Sequence, residues 1–174
     1  TYFAAGADFS EGEFIEHAHF SEATFIMDAK FSKVTFNRDA DFSGATFTSG
    51  ANFSKANFIR ITNFFQANFT RLTDFFQANF TQGVDFSGAT FTQGADFSEA
   101  TFQIEPIFEN ALANKAKFSC KVEPGNYNFE VSSGSPYKID TWDPERNGIK
   151  FTIPKGATLF DPDDPSEQED NDGS

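Results

Sequence analysis

From Phe3 to Phe108 the chain repeats one local pattern: a small or β-branched residue, a polar residue, phenylalanine, then another polar residue. Twenty Phe fall at positions 3, 9, 14, 20, 25, 31, 36, 42, 47, 53, 58, 64, 69, 75, 80, 86, 91, 97, 102 and 108, spaced alternately six and five. Two residues before almost every one stands Ala, Val or Thr, as at Ala40, Ala45, Val34 and Thr62. Residues i and i+2 share a face in an extended strand but not in a helix, so Ala and Phe turn to one side and the polar residues to the other. Strands this short cannot bury an apolar face alone and must stack, coil upon coil, into a continuous core.

Each eleven-residue period joins a five-residue unit to a six-residue one, as in Ala40-Asp41-Phe42-Ser43-Gly44 followed by Ala45-Thr46-Phe47-Thr48-Ser49-Gly50. The motif, seen again in Ala51-Asn52-Phe53-Ser54-Lys55 and Ala95-Asp96-Phe97-Ser98-Glu99, resembles the pentapeptide-repeat family over about residues 1–108. The resemblance implies an all-β fold, a right-handed quadrilateral β-solenoid with four units per coil, the central large residue and the small residue two before it both packed inside. The extra residue in every second unit, often Gly (Gly50, Gly83, Gly94), departs from the family pattern and predicts a coil of 22 residues. A flat eleven-residue coil is the rival. It would have to fit four inward side chains, two of them Phe, between sheets about 10 Å apart within one layer about 4.8 Å high, and four sides are preferred.

The pattern weakens at Pro106. Residues 109–117 read as a last irregular coil or a short helix, either of which would cap the end of the solenoid. Alternating Tyr127, Phe129 and Val131, and the stretch Ile149–Ile153, predict a small C-terminal β appendage within 109–160. From residue 161 the acidic run Asp161, Asp163, Asp164, Glu167, Glu169, Asp170 and Asp172 has no apolar anchors and is expected to be a disordered tail.

Charge and cysteine content narrow the function classes. A net charge of −13 argues against direct nucleic-acid binding, which needs clustered Lys and Arg. The single Cys120 cannot form an internal disulfide. No apolar run is long enough to span a bilayer and no secretion signal is visible, so a soluble protein is expected, with the cytoplasm favoured over other compartments.

Candidate chemistry is sparse. Asp or Asn before Phe is expected to brace the bend through nearby backbone groups, and the carboxylates Asp41, Asp74, Asp85 and Asp96 sit in environments too alike to split into acid and base. His17 and His19 lack further spaced ligands, so no metal site, no cofactor and no catalytic residue is nominated. Phe65 and Phe76 stand apart. They occupy the slot after the core Phe where Ser43, Ser54, Ser87 and Ser98 stand in other copies, and Ile59, Ile61 and Leu72 nearby also fill slots that are elsewhere polar or Gly. Exposed apolar residues of this kind predict a protein-contact surface.

The expected function is therefore a non-catalytic structural or protein-binding module that offers rigid walls to a protein partner or to a second copy. Two alternatives are weighed. The resemblance extends to acidic pentapeptide proteins that mimic duplex DNA toward gyrase, but Lys30, Lys33, Arg38, Lys55, Arg60 and Arg71 interrupt the negative charge. Ice binding by outward Thr pairs such as Thr46/Thr48 and Thr90/Thr92 fails for want of a continuous Thr array.

Overall fold

The computed structural model describes residues 1–167. Two-residue strands succeed one another along the chain, and through the regular coils each pairs in parallel with the strand 22 residues away: Tyr2 with Thr24, Ala51 with Thr73, Asn57 with Asn79, Thr62 with Val84. The coil is thus four-sided and 22 residues long, which excludes the eleven-residue alternative. In chain order the first wall runs through Tyr2–Phe3, Thr24–Phe25, Thr46–Phe47, Asn68–Phe69 and Thr90–Phe91, and the second through Ala7–Asp8, Ala29–Lys30, Ala51–Asn52, Thr73–Asp74 and Ala95–Asp96. Glu13–Phe14, Thr35–Phe36, Asn57–Phe58, Asn79–Phe80 and Thr101–Phe102 form the third; Ala18–His19, Ala40–Asp41, Thr62–Asn63 and Val84–Asp85 form the fourth.

The inward positions are the small residues and the Phe, as the alternation requires. Phe31, Phe42, Phe53, Phe64 and Phe75 are wholly buried. Rings 22 residues apart stack nearly parallel, Phe31 on Phe53 at 5.0 Å and Phe53 on Phe75 at 5.1 Å, whereas rings eleven apart, such as Phe42 and Phe53 at 5.3 Å, meet edge to face. Both geometries are favourable for aromatic rings, and the rise of one coil fits the stacking distance.

The five-residue corners are tight turns. The Ala45 N–H donates to the Phe42 carbonyl at 3.0 Å, and the residue between Ser43 and Ala45, Gly44, has φ +63°. The same left-handed slot is filled by Lys33, Lys55, Gln66, Gln77 and Glu99, with φ from 54° to 58°. A side chain there costs on the order of 1 kcal/mol. Interlocking between coils offsets it: the Lys55 N–H donates to the Phe76 carbonyl of the next coil at 2.7 Å, and Gln66 to Ser87 at 3.0 Å. The polar residue before Phe braces the corner as expected, Oδ1 of Asp41, Asn52, Asn63, Asp74, Asp85 and Asp96 each accepting the N–H two residues on at 2.7–3.0 Å.

Beyond Phe108 the coil lengthens but the walls continue. Lys117–Ser119 and Thr158–Phe160 extend the first wall and Tyr127–Asn128 the second. Phe118 stacks on Phe91 at 4.7 Å and Phe129 lies over Phe97 at 5.7 Å, covering the end of the ring columns. Residues 109–117 form the irregular coil and not the helix: Glu109 bridges Lys115, and Asn110 Oδ1 accepts the N–H groups of Leu112 and Asn114. One hairpin arm with two nested antiparallel ladders follows, Thr141–Trp142 with Ile153–Pro154 and, within it, Glu145–Arg146 with Ile149–Lys150. Its tip turns through Asn147 and Gly148, both at positive φ, as a two-residue hairpin loop demands.

The tail expected to be disordered from residue 161 falls half outside the described residues, which end at 167. Within them, polar groups hold what apolar anchors do not: Arg146 makes a two-pronged contact with Glu167, the Glu167 carboxylate accepts the Asp161 N–H, and Lys121 reaches Asp161 at 3.1 Å. The guanidinium lowers the Glu167 pKa below the ordinary value of 4.5, so this contribution is present at neutral pH and lost as the pH falls through the lowered value.

Three stability outcomes follow. Phe53→Ala should cost about 3–5 kcal/mol, because a ring leaves a stack that cannot collapse around the gap. Thr73 faces inward with its hydroxyl buried and unpartnered, while the matching slot one half-coil on holds Val84; Thr73→Val should therefore stabilise by about 1 kcal/mol. Both are read from denaturant melts; a near-neutral Phe53→Ala, or a Thr73→Val that destabilises, would refute the inward assignment. Ending the chain at Phe160 should lower the melting temperature by a few degrees through loss of Asp161 and Glu167. An unchanged melt would show that these pairs are fully screened.

Candidate protein-contact surface

The 22-residue coil separates the outward apolar residues instead of gathering them. Ile59 and Ile61 lie in the wide corner between the third and fourth walls, and Phe65 in the tight corner between the fourth and first. Leu72 lies between the first and second, and Phe76 between the second and third. Phe65 and Phe76 are thus on opposite corners. Ile61 is 59% exposed and Leu72 54%, whereas Phe65, Phe76 and Ile59 are half-buried.

These positions belong to two consecutive and almost identical segments, Arg60-Ile61-Thr62-Asn63-Phe64-Phe65-Gln66-Ala67-Asn68-Phe69-Thr70 and Arg71-Leu72-Thr73-Asp74-Phe75-Phe76-Gln77-Ala78-Asn79-Phe80-Thr81. Because eleven residues are half a coil, the duplication sets the same surface on opposite faces: Ile61, Asn63 and Phe65 across the fourth wall, Leu72, Asp74 and Phe76 across the second. The local geometry matches too. Asn63 Oδ1 accepts from Phe65 N–H at 2.8 Å and Asp74 Oδ1 from Phe76 N–H at 2.7 Å, with φ 54° at Gln66 and 55° at Gln77. Side-chain size along each column leaves the apolar groups proud. Gly50 and Gly94 stand one coil below and above Leu72, Ser54 and Ser98 flank Phe76, and Ser43 and Ser87 flank Phe65.

Charge is distributed by coil. The first carries Asp8, Glu11, Glu13, Glu16 and Glu22, of which Asp8 and Glu11 pair with Lys30 and Lys33 of the second. Between Asp41 and Asp74 there is no carboxylate, and Lys55, Arg60 and Arg71 are the only charged side chains. An unbroken acidic wall of the kind that imitates a DNA duplex is interrupted there. Asp74 has its pKa raised, chiefly by burial and further by the Asp96 carboxylate above it, while its bond from the Phe76 N–H pulls the other way.

The remaining polar features are dispersed. His17 lies 3.5 Å from Asp39, and its ring is 6.1 Å from that of His19. Among the described residues no group of three or more His, Cys, Asp or Glu could hold a metal ion, and no helix is long and apolar enough to cross a membrane. A groove of about 670 Å³ lies against the first wall under the 109–117 loop, lined by Asn68, Thr90, Thr92, Lys117, Thr158 and Phe160 among others.

The family model for pentapeptide repeats in nine copies matches residues 23–68 and 75–119, just over half of the chain. With its stacked four-sided coils, the protein belongs to the pentapeptide-repeat family. No curated protein and no solved structure matches the chain. In the sequence these residues stand out by slot violations alone; the near-identity of the two eleven-residue segments is the further signal that ties them into pairs.

Since serine occupies the Phe65 and Phe76 slots in neighbouring coils, Phe65→Ser and Phe76→Ser should each shift stability by no more than about 0.5–1 kcal/mol. Thermal melts check this, and a loss as large as that of Phe53→Ala would place the rings in the core.

Proposed function

We propose that the protein is a non-catalytic binding module whose solenoid walls dock a protein partner or a second copy of itself through Ile59, Ile61 and Phe65 on one side and Leu72 and Phe76 on the other. One observation carries the reading: the duplicated segment repeats an aliphatic residue and a Phe in slots that neighbouring coils fill with Gly, Ser or Asp. Nothing in a repeating core requires them there, since Phe64 and Phe75 already fill the interior. Residues that the fold does not need, kept twice at the surface, support a role in contact. The rigidity of the coils suits that role, because a preformed surface loses little entropy on binding. Among the described residues no constellation of nucleophile, base and oxyanion donor speaks for chemistry.

The test is capture from native lysate by the wild type and by the Phe65→Ser/Phe76→Ser double variant, whose fold is checked in parallel by melting. Loss of captured proteins, or of self-association, in the double variant is the expected outcome. Identical captures and identical assembly state for the two proteins would remove these residues from the binding surface.

A further inference from the structure

The two duplicated patches have the same apolar pair but different surroundings, and the difference points to an occupant for one of them. In the corner between the second and third walls the left-handed slot reads, coil by coil, Glu11, Lys33, Lys55, Gln77, Glu99. The coils interlock here through main-chain bonds, the N–H of Lys55 donating to the Phe76 carbonyl and that of Gln77 to the Ser98 carbonyl. About Gln77 the column is therefore of opposite sign, with the cation Lys55 one coil below and the anion Glu99 one coil above. In the other corner of the same wall Leu72 stands between glycines, Gly50 one coil below and Gly94 one coil above, with Leu72 leaning towards Gly94.

A surface whose charge reverses about one level is complementary to itself turned upside down. A two-fold axis lying along the strand direction at the level of Asp74 keeps each corner opposite itself and exchanges the coil below with the coil above. Phe76 then meets Phe76, Leu72 meets Leu72 between the paired glycines, and Lys55 of each copy meets Glu99 of the other. We propose that the second wall is the seat of an antiparallel, two-fold-symmetric contact with a second copy of this chain, resting on the reading that the outward apolar residues are contacts.

The fourth wall supplies the contrast. It carries the same apolar pair, Ile61 and Phe65, but its left-handed column holds Gly44 and Gly88 on either side of Gln66, and the same operation about Asn63 would set Asp41 against Asp85. That face has no opposed charges to lock it and two carboxylates that repel. The one unfavourable pairing on the second wall is Asp74 with Asp74, at the centre.

Five coils give a wall only about 24 Å tall, so the contact belongs to the small, weak class and must be sought at high concentration. Sedimentation velocity up to about 0.5 mM, at low and at high salt, is the test. Wild type and Phe65→Ser should dimerise equally, and more weakly at high salt, while Phe76→Ser stays monomeric. Lys55→Glu and Glu99→Lys should each weaken the dimer by about tenfold or more, and the double exchange should restore it. All three charge variants keep the fold, since Glu22 and Lys33 already occupy equivalent slots. Asp74→Asn, which copies Asn63, should tighten the dimer. A wild type that stays monomeric throughout, a dimer abolished by Phe65→Ser, or a charge exchange that fails to restore association would each overturn the proposal. A monomeric wild type that still loses a lysate partner on Phe76→Ser refutes self-association alone and leaves the contact reading standing.

Discussion

Main-chain hydrogen bonds between residues 22 apart set the rise between coils, and that rise is also the separation at which phenylalanine rings stack. The coincidence governs the molecule. Each Phe is held by the ring above and below, as Phe53 is between Phe31 and Phe75, so every coil supplies the surface on which the next forms. Aliphatic residues could fill the volume, but a flat ring spans one layer without intruding on its neighbours, which accounts for the near absence of Leu, Ile and Met from the interior of the array.

The same register explains which irregularities are tolerated. Left-handed backbone at Lys33, Lys55 and Gln77 would be costly in isolation; here the strained residue donates its N–H to the next coil, and the Asx bond from the preceding Asp or Asn fixes the corner before it. Outward slots are free of such demands, and composition there is left to solubility and contact. Phe65 and Phe76 stand out because they break a pattern that the fold does not enforce at their position.

A stacked architecture leaves two ends to manage. At the C-terminal end, Phe108, Phe118 and Phe129 close the ring columns, and the strands at Lys117–Ser119, Tyr127–Asn128 and Thr158–Phe160 extend two walls into the cap. In the first coil Phe3, Phe9 and Phe14 are partly covered. Stability is thus distributed along one axis, each coil depending on its neighbours.

The alternation of small residue, polar residue and Phe was enough to determine the strands, their inward faces and the bracing role of Asp41 or Asn52, because all of these are consequences of local periodicity. The four-sided coil was preferred on volume grounds and the pairing of Tyr2 with Thr24 settled it. What local pattern could not supply was the relation between distant side chains. Ile61 and Phe65, Leu72 and Phe76 read as one cluster in the chain, yet half a coil carries them to opposite faces. The contacts of Glu167 with Arg146, and of Asp161 with Lys121, join segments whose separation in sequence bears no relation to the repeat. Register along a strand is written in a few neighbouring residues. Adjacency across corners depends on the summed rotation of the whole coil, and only the folded chain performs that sum.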